Sequence, residues 1–483
     1  MKRNIKSFML LPLAVGMLTG CGKDNFNGIT IKFWHTFGQT IQDALTEKIN
    51  LFTKAVKEHD GVDVRIQLVY QGSYDDVAKK ISDGYSIGNR PTISVAYPDN
   101  VSDYLGIGKS VNKEFVVNLD SYINNATYGF GKEAWLGDQY DETDFVEDFY
   151  NEGKNYSVDG TYSLPFMKST EIMFYNLDLV KAAMPGYRPE IGNSETKIAN
   201  YMKNLDWDEF MNFCSYIKDH MSEIHNELVV PLYYDSDANF VITKLFQNKI
   251  PYSSITAEGT GTIEFGTGEN RQKTIDMLTE YNTDFKNGLF TTRGVVNKYG
   301  SDYFTNSKCV FSVGSSGGSG YNFPQADAFE IGVCRVPHSN NNPLYVSQGP
   351  TLAIFSDDGL GTEVNEKTKL YSWKFVKFIT NAEINAQMCL RGSEGYAPVR
   401  TSAYETALFQ EFMEEGENYA KCYKVIVDDI NVDAGYLVSK CFKGSAALRD
   451  EIGSMFTAAI QVSDTSEFSD LIDTCISNAR QKF

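Results

Sequence analysis

Histidine is scarce in this sequence: five residues in 483, and they do not cluster. The closest pair, in "HMSEIH" (220–225), lacks the i,i+4 spacing that sets two metal ligands on one helix face. Cysteine is sparse too. Its eight residues contain no C-x-x-C pair and no zinc spacing, which excludes those signatures of a structural zinc site or a dithiol redox motif. Basic residues are in deficit, 44 Lys and Arg against 63 Asp and Glu, for a net charge of −19. That balance argues against nucleic acid and anionic lipid surfaces as partners. Beyond residue 20 no apolar run approaches the roughly 20 residues of a membrane-spanning helix. Neither a metal nor a cofactor is expected.

Motifs for catalysis are also thin. "GSSGG" (314–318) has the Gly-x-Ser-x-Gly form with Ser316 as nucleophile, but Gly317, Gly318, Gly320 and Pro324 oppose the helix that must follow directly. The triad histidine would have to be His338, too close downstream. A Gly/Ser loop offering backbone N–H groups and hydroxyls is the better reading. "GIGKS" (106–110) resembles the tail of a phosphate loop, but Asp103 stands where its first Gly belongs. Glycosidase carboxylates cannot be located from sequence. A secreted hydrolase, glycosidase or esterase, therefore stands as the alternative of another class.

What is present begins with a leader. Lys2, Arg3 and Lys6 precede an apolar stretch from Phe8 to Leu18, too short to span a bilayer and typical of a secretory signal. It ends in Leu18-Thr19-Gly20-Cys21, which resembles the lipobox of bacterial lipoproteins. The resemblance implies cleavage before Cys21 and acylation of its thiol, which would hold the chain on the outer face of a cell membrane (the periplasmic side if an outer membrane exists). Two acyl chains anchor firmly where one does not. Residues 1–20 read as signal peptide and 21–28 as a flexible tether. The other seven cysteines, Cys214, Cys309, Cys334, Cys389, Cys422, Cys441 and Cys475, read as buried small hydrophobes. Bridges Cys309–Cys334 or Cys422–Cys441 stay open.

The remaining body is too long for one core. Its 31 Phe and 29 Tyr supply large apolar interiors. Strands are expected at 29–37, 62–69, 91–97, 170–176, 227–234, 308–316, 329–337 and 349–356, from β-branched and alternating runs. Helices are expected at 40–58, 73–86, 206–221, 269–287 and 367–380, from 3.6-residue periodicity, with Ser73 as an N-cap. Strand–helix alternation means parallel-sheet α/β units, and its length calls for two lobes.

The order of segments then resembles a known family. "YQGSYDD" (70–76), "RPTISVAYPDN" (90–100), "LPFMKSTEIMFYN" (164–176), "KCVFSVGSSGGSGY" (308–321), "QGPTLAIFS" (348–356) and "GSEGYAPVR" (392–400) follow a strand ending Phe33-Trp34-His35. This series is similar to the family 1 extracellular solute-binding proteins of ABC importers, sugar and glycerol-3-phosphate binders among them. The resemblance implies a two-lobe periplasmic-binding-protein-like fold (type II) with ligand in a hinged cleft. Lobe 1 would comprise 29–168 and 350–398; lobe 2 would comprise 169–349 and the helices of 399–483. The chain would be a monomer that delivers its ligand to a permease.

Ligand contacts implied by the resemblance and by strand ends are Trp34, His35, Tyr74, Asp99, Ser169, Tyr233, Tyr234, Ser315, Ser316, Gly349 and Tyr396. Tyr74 alternatively stacks on the first helix, and Gly349 alternatively permits close backbone approach. No Arg falls where the phosphate binder's C-terminal Arg is expected, near Cys441 to Lys443, so Lys168 or Lys443 would have to substitute. Lysine grips phosphate less well than an Arg fork. The expected ligand is therefore a neutral mono- or oligosaccharide, with glycerol 3-phosphate or a glycerophosphodiester as the alternative.

Overall fold

The computed structural model of the chain describes residues 26–85, 88–325, 328–391, 395–415, 417–431 and 435–483. The leader and Cys21 lie outside the described residues. Fourteen strands among them are β1 (Ile29–His35), β2 (Val64–Tyr70), β3 (Ile93–Ala96), β4 (Leu164–Pro165), β5 (Ser169–Asn176), β6 (Val230–Tyr234), β7 (Ser253–Ile255), β8 (Gly261–Ile263), β9 (Phe290–Thr292), β10 (Cys309–Ser315), β11 (Ile331–Arg335), β12 (Leu344–Gln348), β13 (Thr351–Ile354) and β14 (Gly435–Leu437). They form two principal sheets, one in each lobe. The first runs β2-β1-β3-β13-β4; the second runs β14-β12-β5-β10-β6-β9, with β11 also paired to β5. This is the two-lobe α/β fold expected from the sequence. Of these strands, β4, β7, β8, β9, β12 and β14 are absent from the sequence reading; of the eight expected, β5 is one residue longer and the others are one to four residues shorter.

Helices cover both faces of the first sheet. The Gln39–Asp60 and Thr362–Ile379 helices take one face, where Phe33 and Phe52 meet Phe375 with ring centroids 6.1 and 5.2 Å apart. The Tyr74–Gly84 and Pro98–Val111 helices take the other, where Val77, Ile81, Val101 and Tyr104 close a second cluster around Trp34. A strand buried on both faces hides successive residues in opposite cores. That geometry sends Phe33 one way and Trp34 the other. The Tyr74–Gly84 helix opens with the expected Ser73 cap. Its hydroxyl accepts from the Asp76 amide, and the Asp76 carboxylate accepts from the Ser73 amide.

Two antiparallel segments cross between the lobes. β4 pairs with β13 in the first sheet, and three residues beyond Phe166 the same chain enters the second sheet as β5. β12 pairs with Ser169 and Thr170 of β5, and the chain returns through Gly349 to β13. The Phe166 amide donates to the Pro350 carbonyl at 3.1 Å. A third segment joins them where Lys168 and Ala397 exchange backbone bonds.

The division expected at 398/399 needs amendment. Arg400 still lies in the first lobe, bonding the Thr380 and Asp141 carbonyls, with its guanidinium 3.6 Å over the Phe145 ring. Later, residues 438–444 lean back against the first lobe. Asn155 donates to the Val438 and Ser439 carbonyls, and the Gly444 amide donates to Asp103 at 2.8 Å. The Ser445–Gln461 helix then packs in the second lobe on the Asp237–Gln247 and Gly268–Lys286 helices. All seven cysteines from Cys214 onward are buried free thiols, so neither open bridge forms.

Candidate ligand cleft

Between the lobes lies a cavity of about 520 Å³, within the size range of small-molecule sites. Strand ends and helix starts build it. From the first lobe come Asp75, Tyr97, Pro98, Asp99 and Asn100, at or next to the first turns of the Tyr74–Gly84 and Pro98–Val111 helices. Glu152, at the end of another first-lobe helix, joins them, and the crossings add Lys168, Ser169, Gln348, Gly349 and Tyr396. The second lobe adds Ser236, Asn239, Arg293, Tyr299, Ser315, Arg449 and Asp450. Helix N-termini aimed at one space present amide donors and a positive dipole end.

The cations differ in how they are held. Lys168 is committed to the protein: its ammonium donates to Glu152 at 2.6 Å and to the Gly349 carbonyl at 3.1 Å. Arg449 instead bonds the neutral Asn239 Oδ1. Arg293 lies 4.0 Å over the Tyr299 ring. Among the described residues neither guanidinium has a carboxylate within ion-pair distance. Asp75 and Asp99 face them from the first lobe, and Asp450 follows Arg449 on the same second-lobe helix. The Asp450 carboxyl is raised, first by burial and then by the like charge of Asp75. Beside the cleft, burial raises Asp103 to about 6, and below its floor burial raises Glu171 to about 7.

Residues 50–414 match the family of bacterial extracellular solute-binding proteins. The chain belongs to this family. Its members are substrate-binding proteins of ABC transporters, not enzymes. This solute-binding protein is 26% identical over 394 residues to the sn-glycerol-3-phosphate-binding periplasmic protein UgpB of Pectobacterium atrosepticum, covering 80% of this chain and 76% of that one. The protein of that name from Escherichia coli K12 is 26% identical over 399 residues, covering 80% and 78%. Among solved structures, UgpB from Mycobacterium tuberculosis in complex with glycerophosphocholine superimposes with a TM-score of 0.66 at 18% identity, over 94% of this chain and 98% of that one. The cyclic alpha-maltosyl-1,6-maltose binding protein of Arthrobacter globiformis gives 0.66 at 16% identity, over 94% and 99%. The structural likenesses bear on fold alone.

Of the contacts expected from sequence, Asp99, Ser169, Ser315, Gly349 and Tyr396 line the cleft. Ser315 Oγ donates to Ser169 Oγ at 3.2 Å, joining the two lobe-2 strand ends. Gly349 has φ +88°, and a Cβ there would stand 2.3 Å from the Met167 carbonyl oxygen. Close backbone approach alone requires glycine at that point. Tyr74 sits beside the cleft rather than in it. It shares a smaller hollow with Tyr396 and packs at a tilt of 41° against Tyr97, ring centroids 4.5 Å apart.

The other expected contacts are corrected by the structure. Trp34 belongs to the core behind the sheet. His35 is fully buried, its ring 5.8 Å from Phe37, and burial lowers its pKa to about 4. Tyr233 and Tyr234 form no platform, because β6 is an interior strand covered on both faces. Tyr233 donates to the Lys298 carbonyl; Tyr234 stacks on Phe240 at 4.2 Å and donates to Glu171. Ser316 is buried, its Oγ accepting from the Thr170 amide. Lys443 is exposed and turns toward Phe483.

The sequence reading missed Tyr97, Asn239, Arg293, Tyr299, Arg449 and Asp450 as cleft residues. Arg449 matters most, since the choice of a neutral ligand rested on a missing arginine. It lies one turn into the Ser445–Gln461 helix, on "SAALRDEI", where spacing signals only amphipathic packing. Its neighbour in space, Asn239, is some two hundred residues earlier. A weak local signal did exist in the acid–base pair Arg449-Asp450 on an otherwise apolar helix start.

Proposed function

We propose that this solute-binding protein captures a glycerol phosphate compound, and specifically a glycerophosphodiester, and hands it to its permease after the lobes close by hinge rotation. The observation that carries the reading is Arg449: a guanidinium inside the cleft, bonded to a neutral amide and not to a carboxylate. An Arg outside a direct ion pair is a strong side-chain donor for a phosphate oxygen. Arg293 adds a second. The three cleft carboxylates, Asp75 and Asp99 from the first lobe and Asp450 beside Arg449, disfavour a dianion and leave room for a ligand with one negative charge and further hydroxyl or cationic groups. Asp75, Asp99 and Asp450 suit those groups as acceptors, and Tyr97, Tyr299 and Tyr396 offer ring faces. The names of the curated relatives support the glycerol phosphate class, and the choice of the diester within it rests on the cleft carboxylates. The saccharide expected from the sequence loses its premise once Arg449 is in the cleft.

Calorimetry tests this directly. Glycerophosphocholine, sn-glycerol 3-phosphate and maltose are titrated into the mature protein at low and moderate salt. The expected result is diester binding that weakens with salt as screening grows. Arg449→Ala is expected to weaken it by about 2–5 kcal/mol, the scale of losing one partner of a desolvated charge pair. Heat from maltose alone, unchanged by salt, overturns the ligand assignment. In the same reading Cys21 anchors the chain through lipid. Cys21→Ser is expected to release it from membranes, and retention by the membrane fraction would refute the anchor.

A further inference from the structure

Glu171 is an unusual residue for its place. It is the third residue of β5, just past the crossing into the second lobe, and it is a carboxylate enclosed below the cleft floor. Its two oxygens have separate partners. Tyr234 donates its hydroxyl to Oε2 at 2.5 Å, and Asn239 donates its Nδ2 to Oε1 at 2.9 Å. The carboxamide of Asn239 has one donating end and one accepting end. A carboxylate can take only the donating end, so Oδ1 must face the other way. There it accepts from the Arg449 Nη2. The remaining donors of that guanidinium are left for the cleft.

We infer that Glu171, acting through Asn239, is the positioning residue that aims Arg449 into the cleft and couples the affinity for an anionic ligand to pH. The coupling to anions rests on the function proposed above; the aiming of Arg449 does not. The groups facing Glu171 are Tyr234 and Asp235 at the end of β6, Asn239 on the Asp237–Gln247 helix, and Arg449 on the Ser445–Gln461 helix. Burial raises the carboxyl to about 7, against the lowering effects of Tyr234, Asn239 and Arg449, while Asp235 adds to the rise. Across that range the field at Arg449 changes. With Glu171 ionised, the guanidinium faces a nearby compensating charge. With Glu171 protonated, it presents its full charge to the ligand. By reciprocity, an anion on Arg449 promotes proton uptake at Glu171, so the anion binds more tightly at the acid end.

Glycerophosphocholine is the binding probe, because its diester does not titrate between pH 6 and 8. Its Kd in the wild-type protein is expected to rise about fivefold from pH 6 to pH 8, the lower end of usual coupling. Glu171→Gln keeps an acceptor for the Asn239 amide, turns the other oxygen into an N–H donor that the Tyr234 hydroxyl can accept, and removes the charge. Its Kd is expected to lose that rise while its melting temperature stays near wild type. Titration of Asp103, raised by burial to about 6, persists in both proteins and cancels in the comparison. The second measurement needs no ligand. In protein labelled at the glutamate carboxyl carbon, the NMR signal absent from Glu171→Gln should titrate near neutrality and move to higher pH in Arg449→Ala. A wild-type pH rise that survives in Glu171→Gln, or a Glu171 signal unmoved by Arg449→Ala, overturns the inference. Absence of any diester binding, with the signal still moved by Arg449→Ala, overturns the proposed ligand and the anion coupling but leaves Glu171 as the residue that aims Arg449.

Discussion

Lys168 is the residue that the sequence nominates as a stand-in for a missing phosphate Arg, and the structure gives it different work. Its side chain is 1% exposed and its ammonium lies 2.6 Å from Glu152, whose side chain is 8% exposed. Glu152 ends a helix of the first lobe; Lys168 immediately precedes β5; and the second acceptor, the Gly349 carbonyl, is on the returning segment. The pair thus ties both crossings to the first lobe. Lys168→Met has nearly the same length and no charge. It leaves the Glu152 carboxylate buried without a counter-ion. Breaking a buried pair from one side costs about 3–5 kcal/mol, whereas replacing both partners by apolar groups is often neutral. The Lys168→Met/Glu152→Met double variant is therefore expected to recover at least half of the single variant's loss.

Urea unfolding of the two variants, followed by both tryptophan fluorescence and far-UV circular dichroism, measures this. Coincident transitions establish that one free energy describes the process. The same proteins are titrated with glycerophosphocholine. The double variant leaves the cleft's net charge unchanged, so its affinity should stay within about threefold of wild type, less than 1.4 kcal/mol. A single variant that loses under about 1 kcal/mol of stability would refute the buried-pair reasoning. A double variant that is stable but has lost its ligand would return Lys168 to the role of phosphate contact.

Three further outcomes follow from the packing. Gly349→Ala forces a left-handed φ on alanine and a 2.3 Å approach to a backbone oxygen, so it should cost about 2–4 kcal/mol in urea unfolding, beyond the 1–3 kcal/mol of backbone strain alone. His35 is neutral in the fold with a pKa of about 4, while the unfolded chain protonates near 6.5. Its contribution is complete above pH 6.5 and is lost as pH falls to about 4, by up to roughly 3 kcal/mol. His35→Asn, whose carbonyl oxygen can still accept the Phe37 amide, should flatten that part of the pH–stability profile. The seven buried thiols should resist an aqueous thiol reagent in the folded protein and all react in urea; a shortfall in urea would reveal a bridge.

The fold was legible because its signals are local and repeated. β1 and β3 are dense in β-branched and aromatic residues, and the Ser73 cap lies three residues before Asp76, so each element announces its own boundary. β12 was missed because "LYVSQ" lies between Asn/Pro and Gly-Pro turns and is only five residues long. The site was legible where the backbone itself builds the cleft. Ser169, Ser315 and Gly349 sit at crossings and strand ends, and such positions follow from topology. It was illegible where a side chain's direction depends on what covers the sheet. Trp34 and Tyr233–Tyr234 have the residue types of a sugar platform. Helices on both faces of each sheet take those rings into cores instead, and no feature of the strands alone shows it.

Arg449 failed for the opposite reason. It was sought at a fixed place near Cys441, as a point in a linear pattern. In the structure, residues 438–444 lean on the first lobe before the last long helix begins, so the helix brings its first turn and a half back to the cleft. The guanidinium comes from the second lobe, from the segment that has just touched the first. The same detour places Asp450 opposite Asp75, whose like charge raises it. In the proposed hinge closure, moving the lobes together would bring these two carboxylates closer, and a closed empty cleft would carry that repulsion. A ligand that places a cation or hydroxyls between them removes it. Under that proposal the facing carboxylates would favour the open form without ligand and the closed form with it, which is the differential interaction that any ligand-driven closure requires.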